Sequence, residues 1–403
     1  MKKTVQRGRF VAAVALATAL STPSLAAEEI KIGALIPLTG SLQELAPPIL
    51  NGAKLAVQEA NAAGGVLNKQ VSVVVKDTQL NPQVAIDGAQ KLVFVDRAVA
   101  SVGPLASGIV AAVATSVTVN AKHPIISPSA TAPTITTLPD NGYVFRTMAS
   151  DAYQGVALAK LMLEKGTDKA AIIYVNNDYG KGLSESLHKA FTDNGGAVTG
   201  ISGYEEKAAS YRSELDALAK GGADTLVVIG YPDNGGVNIV KQALENGFFT
   251  HFVFTDGMKS DNLISSIGAQ YLEGAYGTAA KGLDTPASRS FDAAYTKAFG
   301  AKPSGPFINN DYDAMMILLL AIEEARSTDG EKIRDAITKV ANAPGVVVGP
   351  GEFAKAKSLI QSGVDINYEG AAGTQDFDQN GDVTSTFEHW EVQGDKIQSV
   401  KVF

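Results

Sequence analysis

The 403-residue chain contains no cysteine. Disulfide frameworks, zinc–thiolate sites, iron–sulfur clusters and cysteine nucleophiles are therefore excluded. Histidine is scarce: His123, His188, His251 and His389 are the only four, and none belongs to a metal-spaced pair such as H-E-x-x-H. Charged residues make up 19% and lean to acid, with a net charge of −8 and a pI near 5.2, so a basic face for nucleic acid is not expected. No apolar run reaches the ~20 residues that cross a bilayer. G-x-x-x-x-G-K-[ST], G-x-G-x-x-G and G-x-S-x-G are absent, and with them the usual signs of phosphate, dinucleotide and hydrolase-elbow sites. What is present is a 45% hydrophobic composition, ordinary for folded domains, which excludes bulk disorder.

The charge is unevenly placed. Lys2, Lys3, Arg7 and Arg9 precede an apolar run from Phe10 to Leu20, and Ser21-Thr22-Pro23-Ser24-Leu25-Ala26 follows. Basic, apolar and small-residue regions in that order predict an export signal over residues 1–26, cleaved after Ala26. No cysteine stands at the cleavage point, so a lipid anchor is not expected there. The signal holds four cations and no acid, so its removal takes the net charge from −8 to −12.

From Ile30 onward, apolar strand-like runs alternate with amphipathic helical patterns. Ile30–Leu38, Val71–Val75, Val99–Gly103 and Pro124–Ser127 read as strands, separated by helices that include Ile49–Ala60 and Pro82–Asp96. The rhythm resumes after Phe145, with a helix over Tyr153–Lys165 and a capping box from Asp151 to Gln154. Strands follow at Ala171–Val175, Ala197–Ile201, Thr225–Ile229 and Phe252–Thr255. Nearly continuous apolar strands with intervening helices mean parallel sheets covered on both faces. The chain after Ala280 differs. It offers helices at Ser288–Phe299, Asp311–Ala325 and Glu331–Val340, then hairpin-like strands with turns at 379–382 and 394–395.

Open α/β sheets bind ligands beyond the carboxyl ends of their strands. The residues there include Thr39-Gly40-Ser41, Gly103–Ser107, Ser127–Thr131, Asn176–Gly180, Gly230-Tyr231 and Thr255-Asp256-Gly257. Ser107 reads as the N-cap of a helix from Ile109, where its hydroxyl could meet an anion. Thr131 follows a strand end in a proline-punctuated loop. Asp256 could pair with an ammonium group in a partly dry cleft. Tyr179 and Tyr231 could stack on a ligand or bond to it. Taken singly, each has an ordinary structural reading as a cap, a turn residue or an edge of the core. Asp376–Asp382 matches the opening of a calcium loop, but Phe387 stands at the twelfth position, where a bidentate glutamate is required. A strand–turn–strand is expected there instead, with no metal and no cofactor.

Several motifs, in order and spacing, carry a resemblance over essentially the whole chain after the signal. They are Ile32–Gly40, Gly52 through Asn61 to Gly65, Ser127–Pro133, Val144–Thr147, Asp178–Gly182 and Tyr312-Asp313-Ala314. The pattern resembles the leucine/isoleucine/valine-binding proteins of ABC importers, with the type I periplasmic-binding fold. The resemblance implies two doubly wound, Rossmann-like α/β lobes joined by a multi-strand hinge. One lobe would comprise 27–146 plus 280–386, the other 147–279 plus 387–403. It implies a periplasmic, monomeric binder, neither enzyme nor membrane-embedded, that delivers an amino acid or related small amphipathic ligand to permease subunits. Ser107 with Thr131 would hold an α-carboxylate. Ser129, Thr131, Tyr179 and Asp256 would surround an α-ammonium, Tyr231 would shape the cleft, and Phe307 would line the side-chain pocket. Two positions depart from the family pattern: Asp256 is one methylene shorter than the family's frequent glutamate, and Leu45 stands where an aromatic ring is common. Aromatic or short carboxylic acids or amides, and a sensing role beside a receptor kinase, are the alternatives. An exported hydrolase would need a nucleophile–base pair, and the sequence offers none.

Overall fold

The computed structural model describes residues 1–4, 29–40 and 42–403. The expected export signal, apart from its first four residues, lies outside the described residues, as does Ser41.

Strands β1 (Ile30–Ile36), β2 (Val71–Asp77), β3 (Ala100–Val102), β4 (Ile125–Ser127) and β5 (Val144–Arg146) form a parallel sheet in the order β2-β1-β3-β4-β5. The apolar runs of β1, β3, β4 and β5 are almost wholly buried because helices cover both faces, while edge strand β2 is half-buried beyond Val71. The connecting helices start on local signals. Asn81 accepts from Val84 N at 3.1 Å and caps the Pro82–Gln90 helix, whose first-turn proline has no N–H to satisfy.

The second parallel run is β6 (Lys169–Val175), β7 (Ala197–Tyr204), β8 (Thr225–Ile229), β9 (His251–Phe254) and β10 (Tyr276–Ala280). The chain then returns to the first core through the helices Pro286–Phe299 and Ile308–Ala325. Gly52 allows that return, since a Cβ there would lie 2.4 Å from the Ile308 carbonyl oxygen. Met315–Leu320 is buried in this core, as its apolar run suggests. Among the described residues no helix is long and apolar enough to cross a membrane.

A short parallel pair, β11 (Val346–Val348) with β12 (Ile366–Tyr368), packs beside the first core. The hairpin of β13 (Phe387–Gln393) and β14 (Lys396–Val402) then joins the second sheet, in the order β14-β13-β10-β9-β8-β6-β7. The molecule thus has two α/β layers with separate cores, and the chain passes between them after β5, after β10 and before β13.

Three local expectations are corrected. The 376–382 segment is a turn with no strand at either side of it, and the only late hairpin among the described residues is β13–β14. Its carboxylates serve the fold: Asp376 accepts from Ala343 N, Asp378 from Asn380 N and Asp382 N, and Asp382 pairs with Arg146. The parallel β11–β12 pair and the Phe353–Gln361 helix stand where the sequence reading expected hairpin strands, because non-local pairing leaves no periodic mark in so short a run. The Asp151–Glu164 helix is capped by Ser150, which accepts from Ala152 N, so the Asp151–Gln154 box does not form.

Candidate functional site

The carboxyl ends of both sheets converge on one narrow cavity of about 30 Å³. After β1 come Leu42, Leu45 and Ile49; after β3, Leu105, Ala106 and Ser107; after β4, Ser129. From the second sheet come Tyr179 after β6, Tyr231 after β8, and Asp256 with Gly257 after β9. Phe307 closes the wall. It adopts a left-handed backbone (φ 68°) at the N-cap of the Ile308–Ala325 helix, a strained conformation for an aromatic residue. A second chamber of about 320 Å³ shares Ala106, Ser107, Tyr179 and Tyr231 and adds Asp178 and Glu206. No lysine, arginine or histidine is among the described residues lining either chamber.

Seven of the eight residues singled out in the sequence line the inner cavity: Leu45, Ser107, Ser129, Tyr179, Tyr231, Asp256 and Phe307. Thr131 does not. It is buried behind the wall, where its main-chain oxygen accepts from Asp151 N at 2.7 Å. Ser107 is also placed differently from expectation. Ala106 is the N-cap and Ser107 the first helical residue, and its hydroxyl accepts from Ala132 N at 3.1 Å. That bond uses a lone pair, so the Ser107 proton remains free to be donated. Ser129 is the opposite case. Its hydroxyl donates to Leu105 O at 2.9 Å and keeps its lone pairs for a donor.

Asp256 is the electrostatic centre. It is 3% exposed, and its Oδ1 accepts from Tyr179 OH at 2.9 Å and Gln154 Nε2 at 3.0 Å. Burial raises its proton affinity, against the two hydrogen bonds that favour the anion. Tyr179 and Tyr231 stack with centroids 5.5 Å apart, and burial beside Asp256 keeps both phenols protonated far above their ordinary range. Gln154 is anchored by a second bond, to Thr278 O at 3.2 Å.

Asp151 and Gln154 were read from the sequence only as a cap. The spacing is also one helical turn, which puts both on one face, but nothing local says which face meets Asp256. Asp151 is fully buried, and its proton affinity is raised by burial first and by the Asp256 charge second. Thr131 Oγ1 lies near enough to oppose that rise without a well-formed hydrogen bond. Arg146, also fully buried, opposes it more weakly. Its guanidinium is engaged by Asp382 at 2.5 and 2.7 Å, Thr136 Oγ1 at 2.6 Å, Ala132 O at 3.0 Å and Ala130 O at 3.2 Å.

A family model described as periplasmic binding protein matches residues 29–364. The chain is 30% identical over 342 residues to the leucine-, isoleucine-, valine-, threonine- and alanine-binding protein of Pseudomonas aeruginosa, covering 84% of this chain and 89% of that one. It is 27% identical over 359 residues to a chemotactic signal transduction system substrate-binding protein of Halobacterium salinarum, covering 87% and 84%. Among solved structures it is similar to a leucine-binding protein of Thermotoga maritima, with TM-score 0.79, 25% identity, and 93% and 98% of the two chains covered.

Proposed function

The chain belongs to the periplasmic binding protein family, and from that premise we propose that it captures an amino acid in the cavity between its two sheets and delivers it to an ABC permease. One observation carries the ligand class. A buried carboxylate, Asp256, faces a cavity whose walls are otherwise apolar, hydroxyl or aromatic, with no basic side chain among the described lining residues. A buried charge of that kind is stabilised by a cation brought in with the ligand. The α-ammonium would sit among Asp256, Ser129 and Tyr179. The free Ser107 proton would bond the α-carboxylate, and Thr131 would act from behind the wall through Asp151. Leu42, Leu45, Ile49, Leu105 and Phe307 would enclose an apolar side chain.

The two lobes of this reading are 27–146 with 280–386 and 147–279 with 387–403, exported to the periplasm and hinged at the three crossings. Closure would bring Ser107 and Ser129 of one lobe against Tyr179, Tyr231 and Asp256 of the other, so a ligand that touches both favours the closed form. Binding and release, with no bond broken, is the activity. The Halobacterium relative supports a second reading, in which the same binding event is passed to a signalling receptor.

A thermal-shift screen of the protein without residues 1–26 tests the ligand class. A ligand at 100 times its Kd adds ~2.7 kcal/mol of stability. Aliphatic L-amino acids should raise the melting temperature, and benzoate and short aliphatic acids should not. A shift with the acids alone would overturn the reading.

A further inference from the structure

The inner cavity, at about 30 Å³, has room for only a few water-sized groups. In this conformation a ligand whose head sits on Asp256 extends past Ser107, Tyr179 and Tyr231, which both chambers share, into the outer chamber of about 320 Å³. Leu80, Pro82 and Ile109 wall that chamber on the side of the first sheet, and Asn177, Asp178 and Glu206 on the side of the second. Asp178 reaches across the gap: a Cβ on Gly108 would lie 3.1 Å from Asp178 Oδ2, so the glycine leaves the carboxylate its place. Neither acid is spent on the protein. Among the described residues the Asp178 carboxylate has no hydrogen bond or ion pair, and the Glu206 carboxylate accepts only from Asn177 Nδ2, at a long 3.4 Å. Tyr231 is an independent sign of a ligand. It is 6% exposed and lines both chambers, and its hydroxyl makes no hydrogen bond with any described residue. A buried phenol ordinarily finds a partner, so this one faces the space that a ligand fills.

We propose that Asp178, Glu206 and the Tyr231 hydroxyl form an outer subsite for a cationic side-chain tip, so that the preferred ligand is an α-amino acid ending in an amino or guanidino group. The head stays on Asp256, as above. The aliphatic stem passes Tyr179 and Tyr231, whose rings stack with centroids 5.5 Å apart and whose faces attract a flat cation. Charge argues for such a ligand. The two chambers present Asp178, Glu206 and Asp256, with no lysine, arginine or histidine among the described lining residues. A ligand with one ammonium group answers Asp256 alone, and a second positive end answers the outer pair. A cleft lined by one sign of charge also gathers cations and turns away anions. Asp178 and Glu206 are both exposed, so water screens the tip. The gain is that of an exposed ion pair, about fivefold in Kd.

The inference rests on the amino-acid reading, and L-arginine against L-citrulline separates the two. The pair share head and length, and only arginine carries the terminal charge. Titration calorimetry at low salt, on the protein without residues 1–26, should give arginine a Kd about fivefold below that of citrulline, with the gap closing as salt rises. In Glu206→Gln the ratio of the two constants should fall towards one. Glu206 is the residue to change because Asp178 also opens its helix, where an acid serves the dipole. Citrulline binding as tightly as arginine in the wild type, or a ratio unchanged in the variant, would overturn the outer subsite. If L-leucine binds and neither arginine nor citrulline does, the subsite falls and the amino-acid reading stands. If no α-amino acid binds, both fall. The wild-type comparison needs no variant to fold.

Discussion

The Tyr179 hydroxyl donates to Asp256 Oδ1 at 2.9 Å while standing 2.8 Å from Thr255 Oγ1 and accepting from Gly257 N at 3.3 Å. One phenol thus organises three consecutive residues at the end of β9. Tyr179→Phe keeps the ring stack with Tyr231 but removes that hub. The expected loss is about 1–2 kcal/mol of stability and a roughly tenfold weaker Kd for the bound amino acid. Urea denaturation and calorimetry read the two effects; an unchanged Kd would show that the hydroxyl does not orient Asp256.

Asp256→Asn separates binding from folding. Burial raises the Asp256 proton affinity in the folded state, so the native protein holds a proton that the unfolded chain loses above the ordinary carboxylate range. Its contribution to stability is present at low pH and declines as pH rises. The neutral amide removes that decline, so the ligand-free variant should melt no lower than wild type at pH 7. Its affinity should drop by the ~2–5 kcal/mol typical of breaking a buried charge pair. Parallel melting curves with and without L-leucine check both signs.

His123 gives a second pH dependence, away from the cleft. It is buried, its Nε2 lies 2.7 Å from Ser101 Oγ, and burial pushes its pKa down to about 4. The unfolded chain therefore binds the extra proton first, and stability is lost as pH falls from about 6.5 towards about 4. The full swing is about 3 kcal/mol. Asp313, pushed up to about 7 by burial, runs the other way over part of that window. The informative quantity is thus the difference between wild type and His123→Gln, whose urea midpoint should vary less with pH over this window.

Arg146→Met tests the support behind the wall. The variant strands Asp382 and frees the carbonyls of Ala130 and Ala132, which flank Thr131. Breaking a buried pair by removing one partner costs about 3–5 kcal/mol. A weaker Kd should accompany the loss, because the Ser129–Ala132 loop also carries the bond from Ala132 N to Ser107. Restoration of stability by Arg146→Lys would show that charge alone suffices; the planar, multiply bonded guanidinium geometry predicts that lysine recovers only a part.

Much of the fold was legible before any coordinates. The apolar runs from Ile30 to Phe254 mark β1 to β4 and β6 to β9 within a few residues, because buried parallel strands are rich in apolar residues; the three-residue β5 is not among the strands read from the sequence. The strand ends were legible for the same reason, and they supplied Ser107, Ser129, Tyr179, Tyr231 and Asp256. What escaped was everything set by contact at a distance. Asp151 and Gln154 carry a valid capping spacing, and only the docking of their helix shows that Ser150 caps and Gln154 reaches Asp256. The Asp376–Asp382 turn resembles a cation loop until Arg146, 236 residues away, claims Asp382.

By itself, then, the sequence determined the two α/β layers, the absence of thiol chemistry and the polar residues offered at the strand ends. These follow from local periodicity and composition, which the chain carries whatever its neighbours. The tertiary structure alone decided which of those residues share a cavity and which hydroxyls have protons to spare. It also decided that the carboxylates of Asp151 and Asp256 are both buried. Such facts depend on desolvation and on partners far apart in the chain, and burial is a property that no residue has until its neighbours are in place.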